Sequence, residues 1–219
     1  INLYEKIMPE YRDNSEKAEN KDIKEEYEKL NERIKGVNSE IRDIVSQKNT
    51  PVVTDDLIAK LQKQNEAIAD KLKVIAADLR ELHLKDVNLR VSDYYGKVVD
   101  RVKQQSVLSS DYSDAKLGFE ERLSKITTQY AIDKDVKAKN IRQKLERLMF
   151  EVEKNYTQVR RDSITAQGIQ DAALLENYAS NFKSAYELID KDMDEMKDLI
   201  DEYKSHIDAE IRSEEAKYY

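Results

Sequence analysis

Apolar residues recur along this chain in alternating steps of three and four. Ile23, Tyr27, Leu30, Ile34, Val37, Ile41 and Ile44 form one such series. The spacing puts one residue per turn on a single helix face, the seam of a coiled coil. A second series runs Leu175, Tyr178, Phe182, Ala185, Ile189, Met193, Met196, Ile200, Tyr203 and Ile207. Between them lie Leu57, Leu61, Gln64, Ile68, Leu72, Ile75, Leu79 and Leu82, continued by Val87, Val91, Tyr94, Val98 and Val102. The consecutive four-residue steps from Gln64 through Ile68 to Leu72 are a stutter, which relaxes a left-handed supercoil. A further series begins at Phe119, Leu123, Ile126 and Tyr130, slips in phase through 131–139, and resumes at Ile141, Leu145, Leu148, Val152, Tyr156 and Val159.

Three interruptions divide the pattern. In 47–56, Pro51 excludes the helical conformation for its predecessor, and Thr54 followed by Asp55 and Asp56 reads as a helix N-cap. In 106–114, Ser109, Ser110 and Ser113 compete with helix through local hydrogen bonds. Near 162–171, Gly168 reads as a C-cap. Pro9 lies among Leu3, Tyr4, Ile7, Met8 and Tyr11 and should end or kink a short docking helix, with Ser15 capping the next one. Gly96 marks a bend or a close helix contact. The prediction is an all-α fold: one elongated antiparallel bundle over 1–219, with coiled-coil packing and four long helices at about 14–46, 55–107, 112–165 and 170–217.

Composition supports long elements. There are four Gly and two Pro, and 38% of residues are charged, so places to turn are few. The formal charge of −7 disfavours nucleic acid as a partner. Cysteine is absent, which excludes disulfides, thiolate metal sites and a cysteine nucleophile. No run approaches the roughly 18 apolar residues of a membrane span, and no signal peptide is visible. Opening on Ile1, the chain reads as a fragment or processed form, and an intracellular location is the expectation.

Candidate chemistry is sparse. Asp190, Asp192 and Asp194 imitate the start of an EF-hand loop, but Glu195 stands where the loop needs Gly, and the apolar series passes through the segment. They read as a solvated acidic helix face. His83 and His206, the two histidines, lack the partners of a bundle metal site or a zinc motif; His83 reads as a seam-edge residue and His206 as exposed. No catalytic residue, metal site or cofactor is expected. Charge is uneven: the stretch 137–161 is basic, with Arg142, Lys144, Arg147, Arg160 and Arg161, whereas residues 190–215 are acidic. Complementary pairing between those two helices is one reading, and a basic surface for lipid headgroups or an acidic partner is the other.

These features point to a non-enzymatic scaffold or assembly subunit acting through a protein partner or a second copy of the chain. The expected interaction residues are the seam positions Ile23, Tyr27, Leu30, Ile34, Tyr178, Phe182, Ile189, Met196 and Tyr203. A peripheral membrane scaffold of the crescent-dimer kind, using the basic stretch, is a second reading. A secreted helical surface or toxin-like protein is a third.

Overall fold

A computed structural model of the chain describes residues 2–48, 54–126 and 130–218. Of these, 92% are helical, in five α-helices with no strand. The helices are α1 (Asn2–Lys17), α2 (Lys21–Lys48), α3 (Asp55–Ser124), α4 (Val136–Ala166) and α5 (Ala172–Glu215). A single 3-10 turn, Ile132–Lys134, precedes α4. The helices pack against one another, so the all-α bundle expected from the apolar spacing is the fold.

The described chain groups into two compact units. The first holds residues 1–90 with 169–176, and the second 91–168 with 177–219. In the first unit, Ile23, Tyr27, Leu30, Ile34, Val37 and Ile44 of α2 meet Ile68, Leu72, Ile75, Leu79 and Leu82 of α3. The pair runs antiparallel. Glu26, Arg33 and Glu40 bond Lys85, Asp78 and Lys71 respectively, each at 2.6 Å. Both sides of that ladder advance by seven residues per rung, in opposite directions along the two helices. Tyr11 of α1 meets Tyr27 edge-on at 6.0 Å, so α1 folds back beside the start of α2.

The second unit contains the C-terminal part of α3, with α4 and most of α5. Its core includes Tyr94, Val98, Ile141, Leu145, Val152, Val159, Phe182, Ile189, Met193, Met196 and Tyr203. Here α3 and α5 run parallel: Arg101 bonds Asp190, Lys204 bonds Asp111, and Arg122 bonds Asp208, all at 2.6 Å. The residue numbers rise together along both helices. Gln105 of α3 donates to the Met149 carbonyl of α4, and Lys137 of α4 pairs with Glu202 of α5. Together with the short connection before α5, this makes α4 antiparallel to both neighbours.

Several helix ends differ from the expectation. The serine-rich stretch 106–114 is helix, inside an α3 of 70 residues, rather than the break between helices at 107 and 112. Ser106 donates back to the Lys103 carbonyl at 2.9 Å, while Leu108, Tyr112 and Phe119 keep packing on the core. Side-chain bonding to the helix's own carbonyls, with sustained burial, outweighs the local preference for a turn. The separation of α3 from α4 falls instead at 125–135, part of which lies outside the described residues. Pro9 sits within α1, and Ser15 lies inside that helix bonded to the Arg12 carbonyl. The cap of α2 is Asn20, whose Oδ1 accepts from Asp22 N at 2.9 Å and Ile23 N at 3.3 Å. Thr54 does cap α3, accepting from Leu57 N at 3.2 Å; Pro51 lies outside the described residues. No glycine has a positive φ among the described residues, so Gly168 is not a left-handed C-cap, and α4 closes at Gln167 in right-handed geometry. At Gly96 nothing lies within 4 Å of an added Cβ, so it marks no close helix contact.

Candidate functional site

Three features gather ionisable or exposed apolar side chains: one buried polar cluster in each unit, and the outer face of α4. In the first unit, His83, Asp86 and Arg90 follow at steps of three and four on α3 and therefore share a face. Glu176, near the start of α5, completes the group. Arg90 donates from Nη1 to Glu176 Oε2 at 3.0 Å and from Nη2 to Oε1 at 2.7 Å, a two-pronged pair. Its Nε donates to Asp86 Oδ2 at 2.9 Å. His83 Nε2 lies 3.0 Å from Glu176 Oε1. Asp86 is 0% exposed. Its Oδ1 and the enclosed Tyr27 hydroxyl take no protein hydrogen bond.

The electrostatics of this cluster follow burial and pairing. Burial raises the Asp86 carboxyl above its ordinary range, against the opposing pull of Arg90. Burial also pushes the Tyr27 hydroxyl up, and the Asp86 carboxylate adds to it. For Glu176 burial acts upward, but hydrogen bonds from Arg90 and His83 win and hold its carboxyl below the usual value. The result is a tie between α3 and the start of α5, with Tyr27 of α2 alongside. Asp86 is closed to solvent.

In the second unit Asp135 is the hub. Its Oδ1 caps α4, accepting from Ala138 N at 2.8 Å. Its Oδ2 accepts from the Tyr130 hydroxyl at 3.0 Å and lies 2.9 Å from His206 Nε2. Burial opposes the charge on Asp135, yet the Ala138 amide, His206 and Tyr130 together lower its carboxyl below the ordinary range. His206 is therefore partnered and largely buried, not exposed: its helix turns it inward to the start of α4.

The acidic residues of α5 face α3 more than α4. Arg101 holds both Asp190 and Asp194, and Arg122 holds Asp208 and Glu215. Asp192 is half-buried; burial and the nearby Glu195 and Glu151 raise its carboxyl. The segment is helix throughout. Among the described residues no three His, Cys, Asp or Glu side chains are grouped to hold a metal ion. No helix among them is long and apolar enough to cross a membrane.

A small hollow of about 20 Å³ lies between Tyr112, Lys116, Asp133, Arg142 and Tyr203, room for one water-sized molecule. Two larger, open grooves lie beside the α2–α3 pair, of about 350 Å³ at Ile44, Leu57 and Leu61 and about 530 Å³ at Val37, Val74 and Ile75, and another of about 520 Å³ lies at Phe119 and Ser205. None of these grooves includes a member of the two polar clusters.

The seam residues expected to meet a partner lie inside the chain's own cores. Ile23, Tyr27, Leu30 and Ile34 are buried in the first unit, and Phe182, Ile189, Met196 and Tyr203 in the second; Tyr178 is half-buried, edge-on to Phe182 at 6.4 Å. The basic residues Arg142, Lys144, Arg147, Arg160 and Arg161 are all exposed on α4. Of the 137–161 stretch, Lys137 reaches α5, while Arg142 and Lys154 pair only within α4, with Glu146 and Glu151. Among the basic side chains stand three exposed apolar ones: Val136 at 72%, Phe150 at 66% and Ile164 at 68%. They recur every 14 residues, a signal present in the sequence but masked by the stronger inward series. The tie to Glu176 has no such signal, because 86 positions separate it from Arg90.

The fold defines an all-α helical bundle. No protein-family model, curated protein or solved structure matches this chain.

Proposed function

We propose that this protein is a non-catalytic helical scaffold that works by presenting a helix surface to another protein chain. The observation that carries the reading is the outer face of α4. Large apolar side chains at Val136, Phe150 and Ile164 stand in solvent, where a helix of an isolated bundle would normally carry polar residues. The two polar clusters fit the same reading, since their charged groups are tied to each other across helices rather than aimed into a cleft. Coiled-coil packing of the long helices belongs to this proposal, because it supplies long, regular outer faces.

The test is the size of the assembly. Sedimentation velocity over a hundredfold range of concentration, with size-exclusion of the tagged chain in native extract, should show a species larger than the monomer in at least one setting. A monomer at every concentration and in extract overturns the proposal.

A further inference from the structure

We infer that the outer face of α4 is a docking surface for an acidic amphipathic helix of a partner protein; this rests on the scaffold reading and names its site. The face carries a second apolar–basic series on the side of α4 opposite its buried one. Val136, Phe150 and Ile164 lie on one row of seven-residue steps, which Gln143 and Thr157 complete. Arg147, Lys154 and Arg161 lie on the adjoining row, four positions on from the first. The combined steps alternate four and three along the whole 31-residue helix, about 46 Å at 1.5 Å per residue. The inward series already packs α4 against α3 and α5 through Ala138, Ile141, Leu145, Val152 and Val159. A second series with helical period therefore has no partner among the described residues.

Charge selects the occupant. Arg147 and Arg161 make no ion pair among the described residues, and Lys154 pairs only with Glu151 one turn away on its own helix at 3.4 Å. A row of three cations beside the apolar row matches a helix with Asp or Glu at its flanking positions, the arrangement that fixes partner choice in paired helices. A second copy of the same face sets cations against cations and is repelled. A membrane is the poorer fit. The three apolar side chains stand about 21 Å apart, singly, where an interfacial helix needs a continuous apolar strip.

The probe is a synthetic 28-residue helix with leucine at both seam positions and glutamate at the flanks, with a lysine-flanked peptide of the same seam as control. Fluorescence anisotropy against the full chain should show binding of the glutamate peptide and not of the lysine peptide. Binding should weaken roughly tenfold or more in Phe150→Ala/Ile164→Ala, and again in Arg147→Glu/Arg161→Glu, and should fall with added salt. The charge-reversed control Lys21→Glu/Lys103→Glu, at exposed sites on α2 and α3, should bind as the parent does. All substituted positions are exposed, and thermal melts should match the parent.

Equal binding by all variants, or equal binding of the two peptides, overturns the inference. So does tighter binding to anionic phosphatidylserine vesicles than to the peptide, or self-association of the parent abolished by the α4 variants, which gives the face to a second copy. If the parent enters a larger assembly in extract that survives Arg147→Glu/Arg161→Glu, the inference about α4 fails while the scaffold reading stands.

Discussion

In the first unit α2 and α3 join through a row of aliphatic side chains, with ion pairs along the margin. In the second, three helices enclose Phe182, Tyr203, Met193 and Met196, ringed by Tyr112 and Phe119. The contrast has a geometric cause. Beyond the start of α2, which Ile7 and Tyr11 of α1 cover, α2 and α3 have one narrow line of contact, which Leu and Ile fill, and charges beside it remain wet. The Arg33–Asp78, Lys71–Glu40 and Lys85–Glu26 side chains are all between 41 and 52% exposed. Three helices enclose a wider interior that takes aromatic rings, Tyr112 and Tyr203 meeting edge-on at 4.9 Å. The flanking cations there are drier, with Arg101 at 22%. The marginal α2–α3 pairs of the first unit thus set register more than stability, whereas the α3–α5 pairs of the second border a drier core; the buried Arg90–Glu176–Asp86 group is the first unit's exception, with Arg90 at 11%.

The largest expected effect comes from charging either core. Ile34→Asp in the first unit and Ile189→Asp in the second should each cost about 4 kcal/mol or more in chemical denaturation, because each side chain is almost fully buried. Asp192→Asn, on the half-buried acidic side of α5, should be neutral or slightly stabilising, since it removes a carboxylate crowded by Glu195 and Glu151.

Next come the polar clusters. Glu176→Gln should cost about 3 kcal/mol at pH 7, because it removes the charge and one prong of the buried pair and leaves Arg90 only Asp86 as a charged partner. Asp86→Asn should cost less, as burial already disfavours the Asp86 charge and the amide oxygen still accepts from Arg90 Nε. The pH dependences have opposite sign. Glu176 and Asp135 have carboxyls lowered by folding, so their stabilisation is present above the unfolded value of about 4 and is lost as pH falls through the folded one. Asp86 is raised, so its contribution is present below about 4 and is lost as pH rises through its folded value. Stability profiles from pH 2 to 7 should therefore flatten on the acid side in Glu176→Gln and Asp135→Asn. A steeper acid-side fall in either variant contradicts the assignment.

Smaller effects separate helix propensity from packing. Gly36 in the first unit and Gly96 in the second are both within helices with nothing within 4 Å of an added Cβ. Alanine at either should stabilise by about 0.5–1 kcal/mol, seen as a raised midpoint in urea. Loss at Gly96→Ala would show that α3 needs flexibility there. Smallest of all, a double-mutant cycle on Arg33 and Asp78 should give about 0.5 kcal/mol, vanishing in high salt, while the Arg101–Asp190 cycle should give more and resist salt better.

The helices were legible where burial follows period. Ile23 through Ile44 and Ile189 through Ile207 are found on the inner faces their spacing assigns. The sequence misled where local chemistry was read without packing. Serines at 106–114 suggested a break, but Leu108, Tyr112 and Phe119 anchor that stretch into a core. Ser15 and Asn20 are both capping residues by type, and only the course of α1 past Pro9 decides for Asn20. His206 looked exposed because its partner Asp135 is 71 positions away and on another helix. Of the candidate site, the basic half of the α4 face was visible as Arg142, Lys144, Arg147, Arg160 and Arg161. The exposed Phe150 and Ile164 carry no such mark, since an apolar residue on a helix has the spacing of a core position as readily as that of an outer one.

The chain builds two apolar cores, one from α1, α2 and the first part of α3, the other from the rest of α3 with α4 and α5. Hydrogen exchange read by mass spectrometry on the parent, Ile34→Asp and Ile189→Asp tests it most directly. Ile34→Asp should strip protection from α2 and residues 55–90 while 177–215 stay protected, and Ile189→Asp should do the reverse. Equal loss of protection across both regions in either variant would contradict it.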